Sequence, residues 1–169
     1  MRQLKPCLVP TSMFLLVATS YFILAACANK KTTTTAENNV EKNIPYQIAK
    51  NYFVKNNYAN QPLHAKLVST QKAFQEIIGG AHIAAENGQP TPIKFESQSV
   101  IAIIGESLSE ESTIVVQKLS QTGKTINVHC LEKKGEKQTF VSRNMLLLVI
   151  DKTNVKKLQL VCATEKQTN

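Results

Sequence analysis

Apolar residues fall into three regimes along the chain. Between Met13 and Ala26 they run almost unbroken, interrupted by Thr19 and Ser20, with Arg2 and Lys5 ahead of them. Across residues 28–44, ANKKTTTTAENNVEKNI, they nearly vanish. From Tyr46 onward they return in short runs whose spacing predicts the elements of a folded body. YQIAKNYFVKN (46–56) is aromatic and β-branched and predicts a strand, and HAKLVS (64–69) a weaker one. In STQKAFQEIIGG (69–80), Phe74, Ile77 and Ile78 recur at helical spacing, Ser69 or Thr70 is placed to cap, and Gly79 to stop the helix. AHIAAENGQPTP (81–92) reads as loop.

The remainder predicts a β meander. SVIAIIG (99–105) is apolar throughout, as a central strand is. GESLSEES (105–112) reads as a polar loop, STIVVQKLSQT (112–122) as a strand, and the turn at Gly123 leads into TINVHCLEK (125–133). KKGEK (133–137) reads as a second tight connection, before strands at 138–141, 145–151 and 156–163. The expected fold class is α+β: a small antiparallel β-sheet or partly closed barrel with one short helix packed on it.

The first two regimes set the domain plan. A basic start, a short apolar core and small residues before a cleavage point define a secretory leader. The core falls short of the roughly 20 residues that span a bilayer. Leu24-Ala25-Ala26-Cys27 resembles the lipobox of bacterial lipoproteins. That resemblance implies cleavage between Ala26 and Cys27 and acyl chains on Cys27. Each buried methylene contributes about 0.8 kcal/mol, so two or more chains hold where one does not. The chain then divides into a leader (1–26), a lipidated cysteine with a polar tether (27–44) and a globular domain (45–165). Residues 28–44 bury too little to offset the entropy of ordering. Ala28 after the lipid site, and a tether without an acidic run, point to an outer membrane position facing the periplasm.

Charge and cysteines refine this plan. The chain carries 20 basic and 12 acidic residues, net +8, and losing Arg2 and Lys5 with the leader lowers that by two. The lysines are spread out rather than clustered with aromatics, which argues against nucleic acid as a partner. A solvated basic surface facing anionic headgroups or an acidic protein fits better. Cys7 leaves with the leader and Cys27 takes lipid, so Cys130 and Cys162 remain in an oxidising compartment. Alternation turns both toward the core. They can form a disulfide if their strands are neighbours, and otherwise are inert buried thiols.

No catalytic or metal-binding constellation is legible. His64, His82 and His129 have no metal-ligand spacing, and Ser107, Ser109 and Ser112 sit in no nucleophile elbow. No cofactor is expected. NYFVKNN (51–57), with IIGGA (77–81) and PTPIKFESQSVIAIIG (90–105), resembles a group of small envelope lipoproteins of the Bacteroidota with a PrcB-like domain, the C-terminal domain of protease-complex subunits. Lys94 stands where that pattern has an acid, and Ile78 where it has phenylalanine. The resemblance implies a non-catalytic domain that modulates an envelope or secreted protease, stabilising it as PrcB-like subunits do or inhibiting it as the potempins do, lipoproteins similar in size, anchor and β-rich character. The loop residues expected to meet such a partner are Asn87, Gly88 and Pro90 in one loop and Glu106 and Ser107 in the other. The alternative expectation is a structural lipoprotein whose β core holds a small hydrophobic ligand.

Overall fold

The computed structural model describes residues 40–82, 84 and 88–166. The leader, Ala26, Cys27, most of the tether and Asn87 lie outside the described residues. Among the described residues the fold is β-rich, with one short helix and no closed barrel. It contains β1 (Glu41–Asn43), β2 (Gln47–Ala49), β3 (Tyr52–Val54), β4 (His64–Val68), α1 (Gln71–Ile77), β5 (Ile78–Gly80), β6 (Gln98–Thr122), β7 (Thr125–Asp151) and β8 (Lys157–Lys166).

One long hairpin organises everything else. β6 and β7 run for 25 and 27 residues and pair antiparallel from Thr122↔Thr125 at the turn to Gln98↔Asp151 at the base. Gly123 makes the turn at φ 57°, where a β-carbon would be strained. The hairpin bends back on itself midway, as the core shows. On β6, Val100, Ala102 and Ile104 join one buried cluster with Phe74 and Ile77 of the helix. Ile101 and Ile103, pointing the opposite way, join a second cluster with Leu119, Ile126 and Val128 from the hairpin's far half. The far half therefore lies over the sheet face that the helix leaves open. Residues 99–105 are buried on both sides, which is why their sequence is apolar without alternation.

The layer beneath the helix is thus β4, the first part of β6, the last part of β7, and β2. The covering layer is β1, the rest of β6 and β7, and β8. Chain order carries β1 into β2 across the side of the stack, through Ile44 and Pro45. Ile44 N–H donates to Leu119 C=O at 2.9 Å there. At the closed end, Thr153 Oγ1 donates to Gln121 Oε1 at 3.2 Å and Lys156 N–H to Lys124 C=O at 2.9 Å.

Bulges produce the bend and keep the inward face apolar. Between Val116↔Cys130 and Lys118↔His129, β6 advances two residues while β7 advances one. The extra residue switches the inward positions from Ile114 and Val116 to Leu119. Three more register shifts fall between Ile104 and Ser112. The stretches expected to be a loop (105–112) and a tight connection (133–137) are instead continuous strand through the bend, and 138–141 and 145–151 belong to the same β7.

Four further expectations are corrected. The meander is not wholly antiparallel, since β8 runs parallel to β7 from Thr125↔Lys157 to Lys134↔Lys166. The strand over 46–56 breaks into β2 and β3 where Asn51 adopts φ 62°. The helix stops at Ile77, and Ile78–Gly80 forms a strand against β3. Glu41–Asn43, expected in the tether, forms β1. Thr70 supplies the cap, its Oγ1 accepting from Ala73 N–H at 3.3 Å. Cys130 and Cys162 face each other across the parallel ladder and are disulfide-bonded, with a Cα–Cα distance of 4.5 Å.

Candidate functional site

The bend places an apolar surface at the end of the body remote from the turn. Between Leu108↔Ser142 and Glu110↔Lys137, β6 advances two residues where β7 advances five. Residues 138–141 therefore leave the ladder with β6. Phe140 and Val141 stand on this bulge, 60 % and 67 % exposed. Gln138 beside them has a buried Oε1 that accepts no hydrogen bond, an uncommon state for a buried acceptor.

Across from the bulge lies β3. Between the two lies a groove of about 400 Å³, lined by Tyr52, Phe53, Val54, Val141 and Met145 and by the polar Lys55, Asn56, Ser107, Ser142 and Arg143. Phe53, half exposed, lies flat over Gly79 on β5, its register partner, where an added β-carbon would come within 2.4 Å of the ring. A glycine here is what lets the ring lie down. The Tyr52 ring meets Phe74 edge-on at 5.3 Å, and its hydroxyl donates to Thr91 C=O at 2.6 Å. Burial pushes the Tyr52 phenol above its ordinary value.

Arg143 fixes the groove's other wall. Its Nε donates to Ser107 Oγ at 3.2 Å, Nη1 to Tyr58 C=O at 3.0 Å and Nη2 to Asn60 Oδ1 at 2.8 Å. Ser107 N–H donates to the same Asn60 oxygen at 2.8 Å. Tyr58 hydroxyl and His64 Nε2 are 3.0 Å apart, and His64 Nδ1 is 2.8 Å from Pro62 C=O. A carbonyl can only accept, so Nδ1 carries the proton and Nε2 accepts from the tyrosine. Each of these groups is committed to another part of the chain. The arrangement holds residues 55–64 to the bend through Arg143 and Ser107.

The residues expected to meet a partner are distributed as follows. Glu106 and Ser107 lie in β6 at the bend rather than in a loop, and Ser107 lines the groove. Gly88 is buried, and Pro90 packs over Gly80, its Cγ 2.9 Å from where a β-carbon would stand. Their segment is pinned to the β2–β3 junction: Lys50 N–H donates to Thr91 Oγ1 and Asn51 Nδ2 to Gln89 C=O, both at 2.9 Å. Tyr52 connects the two regions, bonding Thr91 while lining the groove with Ser107. Sequence reasoning missed Phe53, Phe140, Val141 and Arg143. A signal existed: Phe140 and Val141 are an adjacent apolar pair flanked by Gln138, Thr139, Ser142 and Arg143, so alternation had no core face to assign them.

Between the layers the space is filled by Ile101, Ile103, Ile126, Val128 and Leu148. Among the described residues no cluster of histidine, cysteine, aspartate or glutamate suits a metal ion. Nor is any helix among them long and apolar enough to cross a membrane. Set against known proteins, the chain matches no family model, no curated protein and no solved structure.

Proposed function

We propose that this chain is a lipid-anchored envelope protein, held in the outer membrane through Cys27 and facing the periplasm. Its β-rich domain binds another protein at the bend of its hairpin and catalyses nothing itself. The partner is a protease of the envelope or one secreted through it, engaged through an extended segment. The lipobox-like LAAC and the PrcB-like sequence blocks support the anchor and the kind of partner. The bulge at 138–141 carries the binding reading. It leaves Phe140 and Val141 exposed, with Val141 on the wall of a groove that mixes Phe53, Val54 and Met145 with Lys55, Asn56 and Arg143.

The physical case is one of exposed area and available backbone. Apolar surface contributes about 25 cal/mol per Å² when covered, and Phe140 and Val141 are adjacent in the chain and both well exposed, with Phe53 half exposed across the groove from Val141. Residues 138–141 are out of register with β6, so their main chain can pair with an incoming strand. Strand addition takes affinity from those bonds and specificity from the side-chain pockets alongside.

A photoreactive phenylalanine analogue at position 140 tests this in intact envelopes, with the same analogue at exposed Val161 on β8 as control. A discrete crosslinked protein at 140 that is absent at 161, and lost in a Phe53→Ser background, is expected. Identical products at both positions would end the reading. The anchor is tested by fatty-acid labelling, which Cys27→Ser should abolish.

A further inference from the structure

Opposite the bend, the hairpin's turn end gathers lysines from four segments of chain. Lys42 on β1 is in register with Gln121, just before the turn. Lys124 sits in the turn itself, and Lys156 and Lys157 donate their backbone N–H groups to its carbonyl at 2.9 and 3.2 Å. Lys152 follows β7 where that strand returns to the same end, its N–H bonded to Ser97 C=O at 2.8 Å. All five side chains are exposed. Lys42 and Lys152 stand on the rim of a shallow cleft of about 210 Å³ lined also by Asn43, Gln121, Asp151 and Thr153. The acids at this end among the described residues are Asp151, Glu41 and Glu96, the last beside Ser97. Glu41 is already engaged, its Oε2 with Lys118 Nζ at 2.8 Å and its Oε1 accepting from Ser120 at 2.7 Å. Lys42, Lys152, Lys156 and Lys157 still outnumber Asp151 and Glu96, which leaves a positive excess facing outward.

The same end is where the anchor-bearing chain joins the body. Val40 begins the described residues and Glu41 pairs with Thr122 beside the turn. Twelve residues lie between Cys27 and Val40, at most about 45 Å of fully extended chain. Ten residues of β6 separate Thr122 from Ser112 at the bend, a further distance of roughly 30 Å at strand rise. The tether is long enough for either end to reach the bilayer, so the charge of the ends, rather than the tether, selects which one docks. Anionic headgroups carry the charge the lysine cluster complements, and each lysine near such a surface adds to the attraction, which decays within a Debye length.

We infer that Lys42, Lys124, Lys152, Lys156 and Lys157 form a docking face for the anionic headgroups of the bilayer that carries the anchor. Docking there stands the domain upright, turn end down, and presents the groove at Phe53 and Val141 away from the membrane. The orientation rests on the lipid-anchor reading given above; the headgroup binding rests on the lysines.

The acylated chain, purified from cells and inserted into preformed vesicles, provides the test. Vesicles are phosphatidylcholine alone or phosphatidylcholine mixed with phosphatidylglycerol, and a membrane-impermeant acylating reagent reports each lysine's accessibility by peptide mass spectrometry. The turn-end lysines should be protected about threefold or more by the acidic vesicles, and about 0.5 M salt should remove the protection. Exposed Lys133 and Lys137, at the bend, should react alike in both. Lys156→Glu with Lys157→Glu should lose the protection at Lys42 and Lys152 while still floating with neutral vesicles. Equal protection at both ends, or none in acidic vesicles, would overturn the docking face. A failed anchor shows separately, as failure to float with neutral vesicles. In that case the protection pattern of the chain added to acidic vesicles still decides the lysine face.

Discussion

The disulfide between Cys130 and Cys162 closes a loop across 32 residues of separation, and breaking it should loosen one strand before it unfolds the body. β8 is an edge strand. Its ladder with β7 is its one strand pairing, and its inward residues Leu158, Leu160 and Cys162 are only half-buried. For a loop of that length, chain-entropy reasoning gives about 3.5 kcal/mol of stabilisation. In a domain of this size that corresponds to roughly 10–20 °C in Tm. Urea unfolding of the oxidised and reduced forms measures the sum without changing a side chain. Cys130→Ala with Cys162→Ala should fall slightly below the reduced form, because Cys130 is fully buried and its sulfur fills core space. Hydrogen exchange locates the effect. On reduction, amides of 157–166 should speed up well before those of 99–104, which lie between two packed layers. A reduced protein within about 1 kcal/mol of the oxidised one, or equal exchange gains in β8 and the central strand, would refute the idea that the bond latches this edge.

Three further outcomes follow from single contacts. The Glu41 carboxylate is held below its ordinary value of 4.5 by hydrogen bonds from Lys118 first and Ser120 second. A depressed acid contributes stability that is whole above its unfolded pKa and lost as pH falls through its folded one. Glu41→Gln should therefore destabilise at neutral pH, with the gap to wild type closing below about pH 4.5 in chemical unfolding series. Gly79→Ala pushes the Phe53 ring off its seat and should cost about 1 kcal/mol; in a Phe53→Ala background most of that cost should disappear, a coupling a double-mutant cycle reads directly. Arg143→Met leaves Asn60 Oδ1 and Tyr58 C=O without their charged donor and should cost about 2 kcal/mol, with exchange at residues 55–64 rising in step.

The sequence made some of this plain and hid the rest for identifiable reasons. Thr70, Phe74 and Ile77 spelled out the helix because a cap and a 3.6-residue apolar stripe were both present. The central strand and the turn at Gly123 were equally readable. The continuity of β6 and β7 through the bend was not. From Ser107 to Glu111 and from Gly135 to Arg143 neither strand has a core face, so polar residues there look like a loop although the backbone stays extended. The parallel placement of β8 was hidden too, because Leu158, Leu160 and Cys162 alternate identically in either direction. A parallel neighbour needs a long crossover. Here that crossover is the last part of β7 itself, crossing back in the other layer, which no local pattern announces. At the candidate groove, Ser107 was singled out while Phe140 and Val141 were passed over as a short strand.

The bend that builds the core also builds the surface proposed to bind. A hairpin this long can bury both faces of its first half only by folding over itself, and folding a paired ladder requires the two strands to fall out of step. β7 takes the outer path around the turn and needs the additional residues; 138–141 are those residues. Having no core beneath them, they could be polar at no energetic cost, yet Phe140 and Val141 stand there in the open. Shortening the bulge would tighten the ladder and remove the apolar pair in one step, so deletion confounds fold with binding. Replacing Phe140 and Val141 by serine and threonine separates them. The bend keeps its length and the core its contacts, so stability should stay within about 0.5 kcal/mol while crosslinking from the same analogue placed at Ser142, exposed on the groove wall, is lost. Unfolding on that exchange would mean that the pair serves the bend rather than a partner.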